Sequence, residues 1–302
     1  MTGPLAGRGA VVTGGGRGVG AAIAGILAGA GADVVVAART GDEVERVAES
    51  LRAAGGRAWS TSCDVTREGS VHALGETARE HLGSIDILVN NAGGATSAPL
   101  TRLTLDEWDR ALAVNATGTF LCTREFVLEM IERRWGRVVN VASVAGLEGA
   151  KYVAHYSAAK HAVIGFTRSV ALELGGTGVT INAVCPAYVD TPMTEHTLAV
   201  VQERTGLTRE RALAAVLASA GQERLVTPGE VAEAVLSLCR EEGGATNGQA
   251  VVLGPGVPAA AATQARPCAS SSSTPSPWVS PGAGTTASSH HPAGASSSWP
   301  AR

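Results

Sequence analysis

The amino-acid sequence predicts an α/β fold, in which a single, doubly wound parallel sheet carries helices on both faces. Two observations lead to this prediction. Short runs of consecutive apolar residues alternate with longer stretches of helical periodicity, and strands buried on both faces of a parallel sheet have this uninterrupted apolar character. In addition, a glycine-rich turn joins the first apolar run to the first helical stretch, which is typical of such folds.

The first part of the chain is predicted to contain four strands and three helices. Consecutive branched residues mark the strands, as in Val34–Val36, and glycines mark the ends of the second and third helices, at Gly55 and Gly83. The predicted strands are Gly9–Thr13, Asp33–Ala38, Arg57–Cys63 and Ile85–Val89. The predicted helices are Gly18–Gly31, Asp42–Ala54 and Ser70–Leu82.

The same alternation continues to residue 254. Periodic apolar residues predict one long helix that begins after the N-cap Thr104, and Thr227 is the predicted N-cap of the last helix. Residues 191–221 predict one or two helices with little strand character. The predicted strands are Gly136–Ala142, Val179–Val184 and Ala250–Leu253. The predicted helices are Thr104–Arg134, Tyr152–Gly175 and Pro228–Cys239.

Composition divides the chain into a folded domain at 1–254 and a low-complexity tail at 255–302. Ser, Ala, Pro, Gly and Thr fill 38 of the 48 positions of the tail, which contains no Asp or Glu. Such a segment buries too little apolar surface to offset the entropy lost on ordering, so we predict that the tail is disordered.

Charge and cysteine content exclude several classes of protein. The 24 Lys and Arg against 27 Asp and Glu give a net charge of −3, which argues against nucleic-acid binding because that requires a strongly basic surface. No apolar run is long enough to span a membrane, and no CxxC pair indicates a metal site. The five cysteines, odd in number and without a signal peptide before them, predict reduced thiols and a cytoplasmic location.

Residues Thr13–Gly20 form the pattern TGxxxGxG between the first strand and the first helix. Glycine lets the backbone approach a phosphate closely, and a helix N-terminus offers free N–H groups and a positive dipole end. The turn therefore predicts a loop that binds the phosphates of a dinucleotide, although its spacing differs from GxGxxG. The predicted contacts in this turn are Gly14, Arg17, Gly18, Val19 and Gly20.

The end of the second strand predicts which dinucleotide is bound. An acid usually stands there to bond the ribose 2′-hydroxyl of NAD, whereas this chain has Ala37-Ala38-Arg39. Arg39 is expected to contact the 2′-phosphate of NADP, with Arg17 as a second positive contact. NADP(H) is therefore favoured, and NAD(H) stays open as the alternative because Asp42 lies close in sequence.

Two further segments follow strands and are predicted to contact the same cofactor. After the third strand, Asp64 is expected to accept a hydrogen bond from the adenine amino group, with Val65 beside it. After the fourth strand, small residues would let the backbone meet the cofactor ribose. The predicted contacts there are Asn91, Ala92 and Gly93.

Ser143, after the fifth strand, and Tyr156 and Lys160, on the following helix, predict a catalytic group. Residues four apart share one face of a helix, and an ammonium beside a phenol favours the phenolate, so we expect the pKa of Tyr156 to be lowered. Tyr156 would then serve as general acid or base for a carbonyl–alcohol pair. Ser143 is expected to hydrogen-bond the substrate oxygen as charge develops on it.

Taken in order, these motifs resemble the short-chain dehydrogenase/reductase family over about residues 5–254. The resemblance rests on TGxxxGxG at Thr13–Gly20, NNAG at Asn90–Gly93, Ser143, and YxxxK at Tyr156–Lys160. It implies a Rossmann-type fold and hydride transfer between nicotinamide C4 and a carbonyl carbon, with Tyr156 exchanging the proton.

The resemblance also implies roles for residues outside these motifs. Asn115 would hold a water in a proton relay that ends at Lys160, and Lys160 would bond the nicotinamide ribose. Thr191 is similar to the residue that bonds the nicotinamide carboxamide, and Pro186 and Val189 belong to the same cofactor-binding segment. The chain departs from the family pattern at the residue after Pro186, where Ala stands in place of Gly.

The implied activity is NADPH-dependent reduction of a ketone to a secondary alcohol. The ketone would be a 3-oxoacyl thioester or a cyclic or aromatic ketone, bound under a lid at about residues 188–225. The alternatives are an NAD-dependent secondary alcohol dehydrogenase on the same fold and a non-catalytic nucleotide-binding sensor, and the intact catalytic set argues against the sensor. The resemblance also implies a homodimer or homotetramer in which the two long helices pair between subunits.

Overall fold

Seven parallel strands form one sheet in the computed structural model, which describes residues 3–254. The strands are β1 Gly9–Thr13, β2 Asp33–Ala38, β3 Ala58–Ser62, β4 Ile87–Asn90, β5 Gly136–Val141, β6 Val179–Pro186 and β7 Ala250–Leu253. Their order across the sheet is β3-β2-β1-β4-β5-β6-β7. The direction of winding reverses between β1 and β4, and open sheets bind ligands outside the carboxyl ends of the strands at such a point.

Helices cover both faces of the sheet, so the predicted doubly wound, Rossmann-type fold is confirmed. The helices are α1 Gly18–Gly29, α2 Gly41–Ala53, α3 Glu68–Leu82, α4 Leu105–Leu112, α5 Gly118–Glu132, α6 Ala154–Glu173, α7 Pro192–Thr205, α8 Arg209–Ser219 and α9 Pro228–Cys239. Adjacent residues of β1 point to opposite faces, where Val12 packs with α1 and α9 and Val11 packs with α3 and α5.

The prediction of one long, regular helix over Thr104–Arg134 is wrong. Thr104 does cap its start, in a capping box with Glu107, but the helix is interrupted by a π-helical turn at Ala113–Thr117 between α4 and α5. The turn surrounds the buried side chain of Asn115, which is hydrogen-bonded to the backbone of Gly94 and Ala111. An extra residue in one turn of a helix often marks a functional position.

Other element boundaries differ from the predicted ones by a few residues, and the structure decides between one and two helices over residues 191–221. Helix α6 begins two residues later than predicted, since Tyr152 has a φ of 67° that a helix does not accommodate. Residues 191–221 form two helices, α7 and α8, because Gly206 ends α7 in the left-handed conformation. The predicted N-cap Thr227 is confirmed, again in a capping box, with Glu230.

Some predictions fall outside what the structure describes. Residues 255–302, predicted to be a disordered tail, lie beyond the described residues.

Over residues 3–254, no helix combines the length and the apolar character that crossing a membrane demands. The same residues hold no group of three or more His, Cys, Asp or Glu placed to bind a metal ion.

Candidate active site

The turn between β1 and α1 leaves room only for glycine at its key positions. Gly14 has a φ of 64°, and a Cβ there would lie 2.7 Å from Cα of Ala92. A Cβ at Gly20 would lie 2.2 Å from the carbonyl oxygen of Gly14. Helix α1 starts after Arg17 without a side-chain cap, so the N–H groups of its first turn are free to bind an anion. The turn therefore fits the pyrophosphate of a dinucleotide.

Asn91 and Thr13 hold the end of β4 against this turn. The Asn91 amide donates from Nδ2 to the carbonyl oxygens of Thr13 and Gly14, each at 3.0 Å. The Thr13 hydroxyl oxygen accepts from the backbone N–H groups of Asn91 and Ala92, each at 3.1 Å. Sequence reasoning assigned Asn91 to the cofactor and missed Thr13, whose only signal is a polar residue at the end of an apolar strand.

The charged groups near the predicted 2′-phosphate site include one acid that the sequence reasoning did not identify. Arg39 is exposed, and no acid follows β2 directly. Arg17 forms an ion pair with Glu43, with 3.1 Å between Nη1 and Oε1. Glu43 also lies against the turn, because a Cβ at Gly16 would come within 2.9 Å of its Cβ. The site thus holds two arginines, of which one is paired.

Asp64 and Val65 follow β3, where the adenine was predicted to bind. The Asp64 carboxylate accepts from the hydroxyl (2.8 Å) and the backbone N–H (3.1 Å) of Thr66. The Thr66 hydroxyl is the main cause that lowers the pKa of Asp64, and the charges of Arg39 and Arg67 add to it. The Val65 side chain is buried against the start of α5, where a Cβ at Gly118 would lie 2.7 Å from it.

Ser143, Tyr156 and Lys160 meet at the carboxyl ends of β5 and β6. The Ser143 hydroxyl accepts from the backbone N–H of Ala145 at 3.2 Å and donates to the carbonyl oxygen of Pro186 at 3.4 Å. The ammonium of Lys160, which is 4% exposed, donates to the carbonyl oxygen of Val141 at 2.8 Å. The same nitrogen lies 5.7 Å from the ring centre of Tyr156.

Burial shifts the pKa values of this pair in directions that disfavour charge on either group. Burial raises the pKa of Tyr156 to about 12, and its hydrogen bond with Ser143 offsets only part of that shift. The expected lowering of the Tyr156 pKa is therefore wrong for the chain by itself. Burial likewise lowers the pKa of Lys160 to about 8. Both shifts follow from the cost of holding a charge away from water.

Asn115 and Lys160 both approach Gly93 on the side where a Cβ would point. The Asn115 amide donates to the carbonyl oxygen of Gly94 at 3.0 Å and accepts from the N–H of Gly94 at 3.3 Å. A Cβ at Gly93 would lie 2.6 Å from Asn115 Oδ1 and 3.6 Å from Lys160 Nζ. The loop after β4 therefore packs directly against these two predicted residues, and only glycine fits there.

A chain of buried hydrogen bonds reaches Asn115 from the core, and the sequence reasoning missed it. The Thr119 hydroxyl donates to the carbonyl oxygen of Asn115 at 2.9 Å, and Thr123 donates to Thr119 at 2.8 Å. Asn90 Nδ2 donates to Thr123 at 3.0 Å and to Asn140 Oδ1 at 2.9 Å. The signal in the sequence is the presence of Asn within apolar strands, because buried polar groups need partners.

The segment at and after the end of β6 contains the last predicted contacts, of which Thr191 lies beside the glycine turn. Pro186 is buried at the end of β6. The carbonyl oxygen of Val189 accepts from the hydroxyls of Thr191, at 3.3 Å, and Thr194, at 2.6 Å. A Cβ at Gly18 would lie 3.6 Å from Cγ2 of Thr191. Thr191 therefore faces the turn that precedes α1, across the carboxyl edge of the sheet.

Comparison with known proteins decides the family to which this arrangement belongs. The family described as short chain dehydrogenase matches residues 8–201. The chain belongs to the short-chain dehydrogenase family. It is accordingly an NAD(P)-dependent oxidoreductase that acts on CH–OH or C=O groups.

The similarity of this short-chain dehydrogenase to individual proteins is consistent with the family match. It is 39% identical over 249 residues to the short-chain reductase protein NovJ of Streptomyces niveus, covering 82% of this chain and 93% of the relative. It is 36% identical over 254 residues to a 3-oxoacyl-acyl-carrier-protein reductase of Aquifex aeolicus, covering 84% and 98%. Among solved structures, a variant of actinorhodin polyketide ketoreductase with NADPH is 37% identical, covering 85% and 98%, with a TM-score of 0.80.

Proposed function

We propose that this short-chain dehydrogenase reduces a ketone to a secondary alcohol with NADPH. The observation that carries the proposal is the meeting of Ser143, Tyr156 and Lys160 at the carboxyl ends of β5 and β6. The glycine turn of α1 lies at the same edge of the sheet, facing Thr191. A reductase needs a proton donor and a dinucleotide site side by side, and this edge supplies both.

The residues around the turn fit NADPH, which would supply the hydride. The N–H groups at the start of α1 would hold the pyrophosphate, and Arg39 with Arg17 would hold the 2′-phosphate. The residues proposed to bind the cofactor are Gly14, Arg17, Gly18, Val19, Gly20, Arg39, Asp64, Val65, Asn91, Ala92, Gly93, Tyr156, Lys160, Pro186, Val189 and Thr191.

Tyr156 acts as the general acid in the proposed reduction. Its pKa of about 12 keeps the phenol protonated at neutral pH, so that it can give its proton to the ketone oxygen as negative charge develops there. Ser143 donates a hydrogen bond to the same oxygen. Lys160, with a pKa of about 8, is charged at neutral pH and stabilises the tyrosinate that forms. Asn115, which with Lys160 approaches Gly93, would orient a water that returns the proton.

The substrate we propose is a 3-oxoacyl thioester or a cyclic or aromatic ketone. Tyr188 is half-buried beside the catalytic group, and its charge when ionised would raise the pKa of Tyr156. Met193 is 45% exposed at the start of α7. In this proposal, these side chains would form an apolar wall that suits an acyl chain or a ring. The names of the relatives, a 3-oxoacyl reductase and a polyketide ketoreductase, support the same substrate classes.

The substitution Tyr156→Phe tests the proposed catalytic role. We expect it to lower the rate of NADPH consumption with a ketone panel about 100-fold or more, because the proton donor is lost. Quenching of protein fluorescence by NADPH should be retained. The matched control is Tyr152→Phe, four residues earlier and 59% exposed, which should keep full activity. Failure of the wild type to oxidise NADPH with any ketone, or full activity of Tyr156→Phe, would contradict the proposal.

An NAD-dependent secondary alcohol dehydrogenase is the second candidate, and the Arg17–Glu43 ion pair favours it. Glu43 neutralises one of the two arginines that would receive a 2′-phosphate. The test is the variant Arg39→Ala, which we expect to lower kcat/KM for NADPH about tenfold through one lost phosphate contact and to leave NADH unaffected. Arg102→Ala, in the loop before α4, is the control. A wild-type preference for NADH with an alcohol would decide for the second candidate.

We further propose a homodimer or homotetramer that forms through α5 and α6. Large apolar side chains stand exposed on these helices, with Phe120 at 40%, Leu128 at 61% and Leu172 at 69%. Contiguous exposed apolar surface marks interaction sites.

The location we propose is the reducing cytoplasm, since the four described cysteines are free and buried.

A further inference from the structure

The segment 188–226, here called the lid, begins and ends at the same place. Val189 and Val226 form an isolated parallel bridge. Across it, the N–H of Asp190 donates to the carbonyl oxygen of Val226 at 2.8 Å, and the N–H of Val226 donates to the carbonyl oxygen of Tyr188 at 2.9 Å. Helices α7 and α8 lie between the two ends. The lid is therefore a loop closed by backbone hydrogen bonds at its neck.

Gln222 adds two side-chain bonds to this neck. Its Nε2 donates to the carbonyl oxygen of Tyr188 at 2.8 Å, and its Oε1 accepts from the N–H of Tyr188 at 3.0 Å. The residue is 6% exposed, so both bonds are shielded from water. One amide side chain thus bonds both the N–H and the carbonyl oxygen of a single residue, in addition to the bond that this carbonyl accepts from Val226. A carboxylate cannot replace it because an ionised carboxylate has no donor.

The residue that Gln222 holds forms part of the substrate site. The Tyr188 ring packs against the apolar cluster of Leu198, Ala212 and Val216, which joins α7 to α8. Its phenol lies close enough to the catalytic Tyr156 to influence it electrostatically. A shift of the Tyr188 backbone would therefore move both the wall of the site and the helices that cover it.

We propose that Gln222 is a positioning residue for the substrate site, which fixes Tyr188 and keeps α7 and α8 over the ketone. The inference rests on the proposed ketone reduction for its kinetic consequence, but the two hydrogen bonds are a property of the fold. Gln222 does not touch the reacting atoms and acts through Tyr188. Its effect should therefore appear in substrate affinity more than in the chemical step.

The first test replaces the amide by an apolar side chain of similar length. We expect Gln222→Leu to raise the KM for the ketone about tenfold, the equivalent of one to two neutral hydrogen bonds, with kcat within about twofold of the wild type. The matched control is Gln202→Leu, on α7 of the same lid, whose side chain forms no hydrogen bond within the described residues. A KM equal to that of the wild type would overturn the proposal.

The second test uses Gln222→Glu, which has the same shape but titrates. When ionised, the carboxylate faces the carbonyl oxygen of Tyr188 and cannot donate, so the KM should be high. When protonated, the carboxyl donates again, so lowering the pH should return the KM toward the wild-type value. The titratable neighbours in the chain, Asp190, Glu223 and Arg224, are present in both proteins. A pH profile parallel to that of the wild type would contradict the proposed bond.

Hydrogen exchange separates failure of this proposal from failure of the proposed function. The amide N–H of Tyr188 should exchange at least about tenfold faster in Gln222→Leu than in the wild type, because it loses its acceptor. This readout needs no substrate. If the wild type reduces no ketone but Tyr188 exchanges faster in Gln222→Leu, the proposed function is wrong and the proposed role of Gln222 in fixing Tyr188 is retained. If the exchange rate of Tyr188 is unchanged in a folded variant, the proposed role of Gln222 is wrong.

Discussion

Lys160 is a buried cation whose pKa has a consequence for stability as well as for catalysis. Its pKa falls from 10.5 to about 8 on folding, so between these values the unfolded chain binds more protons than the folded one. The free energy of unfolding contributed by this group therefore rises with pH across that window. Below about pH 8 the charged, buried ammonium costs stability in full.

The variant Lys160→Met removes this dependence. Between about pH 8 and pH 10, we expect the free energy of unfolding of the wild type to rise by about 2 kcal/mol relative to that of the variant. Tyr156 and the cysteines are present in both proteins. The comparison of wild type and variant therefore isolates the contribution of Lys160 to the pH dependence of stability. Urea titrations at several pH values measure the difference, and a constant difference would contradict the lowered pKa.

The sequence identified residues whose chemistry is encoded at a fixed local spacing. Tyr156 and Lys160 are four apart on one helix, and the glycines of the turn all lie within Thr13–Gly20, so their grouping needs no tertiary information. The Arg17–Glu43 ion pair and the Gln222 bonds to Tyr188 join residues 26 and 34 positions apart. Such contacts depend on which elements pack together, which a local pattern does not contain.

At the scale of elements, a buried side-chain hydrogen bond accompanies the π-helical turn at Ala113–Thr117. The Thr119 hydroxyl donates to the carbonyl oxygen of Asn115 from a buried position. We expect Thr119→Val to lower the free energy of unfolding by about 1 kcal/mol, because this carbonyl loses a donor. Thermal or urea unfolding measures the effect.

The matched control is Thr77→Val on α3, which removes the same kind of bond, from hydroxyl to the carbonyl of the residue four before it, at an exposed position. Its cost should stay within about 0.5 kcal/mol. Equal costs at the two positions would mean that the π-helical turn gains nothing from Thr119.

Element ends were predicted well where a cap or a glycine is decisive. Both capping boxes begin at the predicted threonines, Thr104 and Thr227, because the cap is a bond between residues three apart. The π-helical turn was not predicted, and the contact made from it, between Asn115 and Gly94, joins residues 21 positions apart. The apolar periodicity on either side of it is that of an ordinary helix.

For the whole molecule, the exposed side chains of α5 and α6 predict self-association. We expect Leu128→Asp to shift the assembly to the monomer in sedimentation velocity, because a carboxylate would be buried at the proposed interface. Leu100→Asp is the control, since Leu100 is 77% exposed and precedes α4. An unchanged sedimentation coefficient for Leu128→Asp would place the interface elsewhere.

The interior position of β1 in the sheet means that its two neighbouring strands become available at different times during synthesis. β1 lies between β2, its neighbour in sequence, and β4, with Val11 opposite Leu88, and the N–H of Gly9 donates to the carboxylate of Asp86, 77 residues away. During synthesis, one edge of β1 stays unpaired until β4 leaves the ribosome. Closing so long a loop costs entropy before any contact repays it. The nascent chain must therefore carry an apolar strand with unpaired backbone N–H and C=O groups until β4 has been made.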